Sequence, residues 1–382
     1  MLRVLPLLLC AHAAIAETAL VLPFFNHSKS AGLDWIGESI AESVKDSLAS
    51  GGLLVLDRDD RIEAYRRLSL RPSAELTHAS VIKVGESLDA SLVVYGSFEV
   101  LQGSLRITGR VLDIKRSRQS PAYSEVGALD DLATLEAHLG WQALAAAIPK
   151  SAPAEQAFMQ ARPSVKLNAV ENYVRGLMAA SPEQRHHFFT QAALLDPKYS
   201  QPCFQLGKTY WEKKDYKVAA GWLERVQQSD PHYLEARFYL GLCRYMNGDI
   251  KGAEECFQLV AVALPLNEVF NDLGAAQTQR QDFPAAIASF TKALEGDDAD
   301  PDFHFNLGAA LWRSGKYAEA ADSFRAALAR KADDAEATTL LGRCLKREPP
   351  RPGDTRLDGK PRLKTNYEEN AYRQLQAELG KK

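Results

Sequence analysis

Cysteines are few in this sequence, and they lie far apart. The 382 residues include five, at positions 10, 203, 243, 256 and 344, and no two of them form a C-x-x-C pair. Structural zinc sites, thioredoxin-like redox motifs and compact disulfide frameworks all need cysteines at short, regular spacing. The sequence therefore predicts none of these three.

A dominant charge of one sign is also missing. The formal net charge is −3 at pH 7, and charged residues make up 25% of the chain. Nucleic acids and anionic membrane surfaces attract proteins through a strong excess of Lys and Arg. The charge therefore gives no reason to expect an anionic membrane surface as a partner, and we expect no nucleic acid.

Long hydrophobic runs are absent after the first residues. The run from 5 to 15 follows Arg3 and ends in the small-x-small sequence Ala14-Ile15-Ala16, which is the pattern of a cleaved secretory signal. It is shorter than the roughly 20 residues that a membrane span needs. We expect residues 1–16 to be a signal peptide and the mature chain to begin at Glu17 in the bacterial periplasm, with or without contact to the outer membrane. A lipoprotein site at Cys10 fits poorly, because a bulky Leu precedes it.

Familiar catalytic motifs are missing too. The sequence contains no G-x-x-x-x-G-K-[ST], G-x-G-x-x-G, H-E-x-x-H or G-x-S-x-G, so phosphate cradles, dinucleotide folds, zinc protease helices and nucleophile elbows are not indicated. We predict no catalytic residue, no cofactor and no metal ion, and hence no enzyme. Three clusters keep an alternative open, each beside a simpler interpretation as solvated or helix-capping residues. They are His186-His187 as a metal pair, Asp297-Asp298-Ala299-Asp300 as a calcium loop, and Asp57-Arg58 with Asp60 as a site at a strand end.

What the sequence does contain is a repeat. A Leu-Gly pair recurs with its glycine at 207, 241, 274, 308 and 342. Successive glycines are 34, 33, 34 and 34 residues apart (241−207, 274−241, 308−274, 342−308). An alanine follows twelve residues after each of the first four, and a Leu or Phe follows four residues after that alanine. The spacing resembles the tetratricopeptide repeat (TPR), a helical hairpin of 34 residues that stacks into a superhelical solenoid.

The resemblance implies a division of the C-terminal half. We predict a TPR solenoid over 166–347, with one degenerate, four full and one half repeat. A Pro-rich linker would cover 348–362. Apolar and aromatic residues recur every four positions at Leu363, Tyr367, Ala371, Leu375 and Leu379. This spacing predicts a capping helix over 363–382.

The N-terminal part, 17–150, alternates short apolar runs with amphipathic segments. Runs at 19–25 and 53–56 read as strands, 91–101 and 104–114 as a hairpin around Gln102-Gly103, and 129–147 as a helix, so a small α/β (α+β) domain is predicted. The segments 21–26, 33–42 and 92–98 resemble the N-terminal domain of TolB-like, FlgO-like and CsgG-like bacterial envelope proteins. That resemblance implies envelope components as partners and transfers no catalytic residue.

In a TPR solenoid, the first helix of each repeat lines the concave surface. Mapping the chain onto that pattern predicts an aromatic, mildly basic groove for a protein or peptide client. Its lining residues would be Phe204, Lys208, Trp211, Phe238, Leu242, Tyr245, Asn271, Phe305, Trp312, Arg313 and Arg343.

We therefore expect a non-catalytic periplasmic scaffold that binds a peptide or protein client in this groove. The alternative is a structural subunit of an envelope or outer-membrane assembly that oligomerises through its N-terminal domain; an enzyme is the third reading. Cys243 and Cys344 share a repeat position that Thr or Ala fills in the other copies, which predicts buried thiols in a small-residue packing slot. A disulfide between Cys243 and Cys256 on paired helices stays open as the alternative.

Overall fold

The computed structural model describes residues 18–28, 30–162, 164–350, 359–368, 371–372 and 375. The chain divides into two compact units, an N-terminal unit that reaches Met159 and a second unit from Gln160 to Leu375. Each has its own secondary structure and its own core. No helix among the described residues combines the length and the apolar composition that crossing a bilayer requires.

The N-terminal unit is built on a mixed sheet. Its strands within the described residues are β1 (Thr18–Val21), β2 (Phe25–Asn26), β3 (Leu54–Val55), β4 (Leu92–Leu101), β5 (Ser104–Asp113), β6 (Arg118–Gln119) and β7 (Tyr123–Ala128). The order is β3-β1-β4-β5-β6, with β2 beside β4 and β7 beside β5. The pairs β1–β3 and β1–β4 are parallel, whereas β4–β5 and β5–β7 are antiparallel.

The tight turn between β4 and β5 lies where the sequence predicts it. Gln102 and Gly103 both have positive φ, 52° and 80°, as a two-residue turn of type I′ requires. Leu101 pairs with Ser104, and the ladder continues to Leu92 opposite Asp113. The predicted hairpin is confirmed.

Five helices accompany these strands among the described residues up to 162. They are α1 (Asp34–Ser50), α2 (Arg58–Arg67), α3 (His78–Ser87), α4 (Leu132–Ala147) and the short α5 (Glu155–Gln160). Leu20, Val81, Val84 and Val93 meet in one fully buried cluster, which joins β1, α3 and β4. The predicted small α/β domain is confirmed, and its sheet is mixed.

The second unit consists of helical hairpins. Its helices within the described residues are α6 (Leu167–Met178), α7 (Pro182–Leu195), α8 (Ser200–Glu212), α9 (Tyr216–Leu223), α10 (Tyr233–Met246), α11 (Ile250–Ala263), α12 (Asn267–Gln279), α13 (Phe283–Gly296), α14 (Pro301–Arg313), α15 (Tyr317–Arg330) and α16 (Ala335–Leu345). The pairs α6–α7, α8–α9, α10–α11, α12–α13 and α14–α15 each form one hairpin, and each hairpin packs on the next. This is the predicted solenoid.

The repeated glycine is where the two helices of a hairpin touch. A Cβ atom on Gly207, Gly241, Gly274 or Gly308 would lie 2.5, 2.7, 2.8 or 2.9 Å from a side-chain carbon of the second helix. That carbon belongs to the Leu or Phe sixteen residues further on, which is buried in every copy. No side chain fits between the helices at this point, so the interval of the Leu-Gly pair reflects helix crossing.

The structure corrects the predicted capping helix and decides between the two states of Cys243 and Cys256. Residues 363–368 are not helical; helical backbone occurs at 371, 372 and 375, and the rest of the predicted capping helix lies outside the described residues. The helix prediction was therefore wrong for its first six residues. Cys203, Cys243, Cys256 and Cys344 are buried free thiols, so Cys243 and Cys256 are not bridged.

Candidate functional site

The predicted groove residues lie on the first helices of the hairpins, and most are buried. Phe204, Phe238, Leu242, Asn271, Phe305, Trp312 and Arg343 are at most 7% exposed. Lys208, Trp211, Tyr245 and Arg313 are partly exposed. Some of this burial is packing between helices: Phe204 stacks on His232 at 4.6 Å between ring centroids, and Trp211 leans on Tyr239. Much of the rest comes from a segment that fills the groove.

That segment is the chain's own residues 359–368, called the tail here. It has no regular secondary structure. Arg362 contacts side chains of α14 and α16, Lys364 contacts α12 and α14, and Tyr367 contacts α10. The tail therefore runs along the first helices in the direction opposite to the order of the repeats. It enters at Gly359, where φ is +57° and a Cβ would lie 3.1 Å from Leu340 and 3.2 Å from Ala309.

Two asparagines bind the backbone of the tail. The Asn306 carboxamide accepts the Arg362 N–H through Oδ1 at 2.8 Å and donates from Nδ2 to the Arg362 carbonyl at 2.8 Å. Asn271 Nδ2 donates to the same carbonyl at 2.8 Å. Asn306 also donates to Asn271 Oδ1 at 2.7 Å, so each amide orients the other. Both are almost fully buried, and hydrogen bonds of this kind recognise the backbone of a residue whatever its side chain.

Acidic side chains recur at one repeat position along the tail. Glu235, Glu268, Asp302 and Glu336 each precede the repeat glycine by six residues (241−235, 274−268, 308−302, 342−336). We call these four residues the acidic stripe. On an α-helix this position is one turn before the residues that bind the tail backbone, and it shares their face. Each member contacts the tail: Glu235 reaches Tyr367, Glu268 accepts the Glu368 N–H at 3.0 Å, and Asp302 and Glu336 bind its cations.

Arg362 is the most extensively bound side chain of the tail. Its guanidinium donates to Asp334 at 3.0 Å, to Asp302 at 3.2 Å and to Glu336 at 3.3 Å. It also lies over the Phe305 ring, 3.5 Å from the centroid, where a cation is attracted to the ring face. The hydrogen bond from Arg362 is the main cause that lowers the pKa of Asp334. Asp334 in addition caps α16 by accepting the Ala337 N–H at 3.0 Å.

Lys364, two residues after Arg362, binds acidic side chains on the same side of the groove. Its ammonium lies 2.7 Å from Asp300 and 2.7 Å from Asp302. Burial alone would raise the pKa of Asp302, but the bonds and charges of Lys364 and Arg362 outweigh burial and lower it. The Lys364 N–H donates to Asp272 Oδ1 at 2.8 Å. Asp272 is fully buried, and this burial raises its pKa well above the usual range.

Tyr367 ends the tail's contact on α10. Its ring meets Phe238 edge-on at 5.3 Å and leans on Tyr372 at 4.8 Å. Burial, and then the charge of Glu235, raise the pKa of Tyr367. Glu235 is paired with Lys208 at 3.1 Å. The predicted groove residue Phe238 is thus covered by an aromatic side chain of the tail.

The prediction of a mildly basic groove was wrong. The lining was mapped from four repeat positions, and the acidic stripe lies at a fifth. A sixth position, two residues before the glycine, holds Asp272 and Asn306 (274−272, 308−306). Two features of the sequence could have shown this. One is a polar side chain on a helix face that is expected to be buried, and the other is the acid that recurs six residues before the glycine. Both predict polar recognition.

Trp312 is placed differently from the anchor that the sequence suggests. It is fully buried, and its indole N–H donates to the Glu348 carbonyl at 2.8 Å. The Arg343 guanidinium lies 5.8 Å from its ring centroid. The chain that follows α16 therefore covers Trp312, and this ring contributes to the end of the solenoid core.

The three chemical alternatives have structural roles. Asp57 and Asp60 form a capping box at the start of α2, and Arg58 pairs with Glu38 at 2.8 Å. His186 bonds to Tyr210 at 3.0 Å, and Asp297 accepts the Ala299 N–H at 2.9 Å. Among the described residues, no group of His, Cys, Asp and Glu side chains is arranged to hold a metal ion.

Comparison with known proteins identifies the repeats. A family model of the tetratricopeptide repeat matches residues 204–268, 271–336 and 305–347. A Drosophila melanogaster protein described as a BBSome complex member BBS4 homolog is 27% identical over 158 residues, which cover 40% of this chain and 32% of the fly protein. This chain therefore matches about a third of the length of that relative.

Two solved structures are similar to part of this chain. One is YrrB, described as a TPR protein with an unusual peptide-binding site, with 19% identity and a TM-score of 0.37 over 42% of this chain and 84% of that chain. Another is MamA from Desulfovibrio magneticus RS-1, with 22% identity and a TM-score of 0.38 over 42% and 92%. Residues 204–347 are tetratricopeptide repeats, a fold that generally serves in protein–protein interaction scaffolds.

Proposed function

We propose that the solenoid binds an extended segment of a client protein in its concave groove. The main support is the pair Asn306 and Asn271, whose buried amides bond both the backbone N–H and the carbonyl of one residue, Arg362, at 2.8 Å. Side chains placed in this way can hold any chain that enters in the same register. The acidic stripe adds preference for a client with basic side chains.

We also propose that the protein works as a periplasmic scaffold and that its N-terminal domain contacts an envelope component. The leader pattern at 1–16 and the resemblance of the 21–42 segment to envelope proteins support this. Mass spectrometry of the protein from periplasmic extracts of the host should find a mature chain that begins at Glu17. Recovery of the uncleaved chain from the cytoplasm would contradict the location.

The groove is tested separately from the location. Full-length tagged protein that carries Arg362→Glu, a change that frees the groove from the chain's own residues, is crosslinked in the host, and the captured proteins are compared for this protein alone and with Asn306→Ala or Gln205→Ala added. Gln205 occupies the same repeat position as Asn306, two residues before Gly207, and is a matched control. At least one abundant client should be lost with Asn306→Ala and kept with Gln205→Ala. If both added changes leave the captured proteins the same as for Arg362→Glu alone, the groove is not the client site.

A further inference from the structure

The groove that we propose as the client site is occupied by the chain's own tail. We infer, on the basis of the proposed function, that the tail is a built-in competitor of the client. We infer also that the client displaces the tail by making the same contacts. Such a client would carry an extended segment with two cationic side chains two residues apart and an aromatic side chain three residues later.

The contacts of the tail are those of a ligand. A segment that served only to cover an apolar core would present apolar side chains. This one instead places Arg362 and Lys364 against Asp300, Asp302 and Asp334, with Arg362 over an aromatic ring. Charged hydrogen bonds of this kind give specificity, and they are weakened by salt and by competing water. The tail is therefore suited to reversible docking.

The spacing of the tail defines what a client must carry. Alternate residues of an extended chain point to the same side, and both Arg362 and Lys364 reach Asp302. The aromatic position is set by Phe238 and Glu235, which receive Tyr367. A residue with a side chain fits poorly three positions before the arginine, because Gly359 is packed against Leu340 and Ala309.

Tethering makes the tail an effective competitor. A segment joined to its site by a short linker acts at an effective concentration on the order of millimolar. A client can bind only the fraction of molecules whose groove is open. Its apparent dissociation constant is therefore multiplied by the reciprocal of that fraction. Release of the tail should therefore tighten client binding by at least about tenfold.

The test uses full-length protein and a fluorescein-labelled peptide with the sequence of residues 359–372. Its binding is measured by fluorescence anisotropy to wild type, Arg362→Glu and Lys360→Glu. The first variant places a carboxylate against Asp302, Asp334 and Glu336 and should open the groove. The second reverses a charge two residues earlier in the tail, where the side chain is exposed, and serves as the matched control.

We expect the peptide to bind Arg362→Glu at least tenfold more tightly than wild type or Lys360→Glu. Adding Asn306→Ala to Arg362→Glu should abolish that gain. Equal affinity for all three proteins would overturn the competitor, while the groove could still bind clients. No binding to any protein, with crosslinked clients still dependent on Asn306, would overturn the inferred chemistry and leave the proposed function standing.

A second measurement replaces the peptide by another copy of the chain. Asn306→Ala keeps an intact tail and has a damaged groove, and Arg362→Glu has the reverse. If the groove reads the tail, a mixture of the two variants should form heterodimers in analytical ultracentrifugation, and neither variant should dimerise alone. A mixture that stays monomeric at concentrations above the measured dissociation constant of the peptide would contradict the inference.

Discussion

Replacement of Asn306 by alanine should release the tail without disturbing the helices. The change removes two hydrogen bonds to the tail, one to the Arg362 N–H and one to its carbonyl, each 2.8 Å long. It also removes the bond that orients Asn271. Alanine is the most favourable residue in a helix interior, so α14 itself should persist.

The size of the effect follows from the bonds lost. A net hydrogen bond within a protein contributes about 1 kcal/mol, so two of them contribute about 2 kcal/mol to docking. Since 1.4 kcal/mol corresponds to a factor of ten, docking should weaken about 30-fold. The carbonyl of Arg362 keeps its bond from Asn271, which prevents a larger loss.

Amide hydrogen exchange of the tail reports this equilibrium, because an undocked segment exchanges freely. The amides of Arg362 and Lys364 should exchange about 30-fold faster in Asn306→Ala than in wild type. The control Gln205→Ala should leave them unchanged. Unchanged tail exchange in Asn306→Ala, or equal acceleration in both variants, would refute the role that we assign to this amide.

Three further outcomes are expected. Burial raises the pKa of Glu136 from 4.5 to about 8. The folded state therefore holds this proton more tightly than the unfolded chain does, and the free energy of unfolding should fall by about 1.4 kcal/mol per pH unit between about pH 4.5 and about pH 8. Glu136→Gln should flatten that slope in urea titrations, and a parallel slope would contradict it. Burial likewise raises the pKa of Asp272, so this carboxyl should also make the free energy of unfolding fall as pH rises; Asp272→Asn should lessen that fall, and an unchanged pH dependence would be the contrary result. Gly308→Ala should cost about 1–3 kcal/mol in unfolding because its Cβ meets Phe324, whereas Gly221→Ala, which has open space, should stabilise α9 by up to about 1 kcal/mol; equal effects would argue against the helix crossing.

The repeats could be predicted because their cause is local. Gly274 and Phe290 are sixteen residues apart and touch within one hairpin, so each repeat carries its own packing requirement. The β4–β5 hairpin was predictable for the same reason, since Gln102-Gly103 alone specify the turn. Contacts across such short separations leave a regular trace in the sequence.

The tail could not be predicted, because its contacts are distant in sequence. Asn306 and Arg362 are 56 residues apart, and Asp272 and Lys364 are 92 apart. The four-residue periodicity from Leu363 correctly describes an amphipathic pattern, but local propensity yields to tertiary contacts. The N–H groups of Arg362 and Lys364 are bonded to groove side chains, and these amides are thereby unavailable to a helix.

Some of the groove residues that contact the tail were predicted from the sequence, and others were missed. Asn271, Phe238 and Phe305 were predicted from the repeat positions and do contact the tail. Glu268 and Asp334 were missed, because an acid near the start of a helix is usually explained by capping and the helix dipole. Here Asp334 caps α16 and binds Arg362 with the same carboxylate. In the sequence, the position of Asp334 indicates only its capping role, so its contact with Arg362 could not be recognised.

A photocrosslinker at position 367 tests the central claim most directly. Tyr367 is replaced by benzoyl-phenylalanine in the full-length protein, which is irradiated and mapped by mass spectrometry. Because Tyr367 lies against Phe238, we predict crosslinks within one chain to α10, Tyr233–Met246, and their loss when Arg362→Glu is added. Crosslinks that miss α10, or that are the same with and without Arg362→Glu, would contradict a groove that holds the tail.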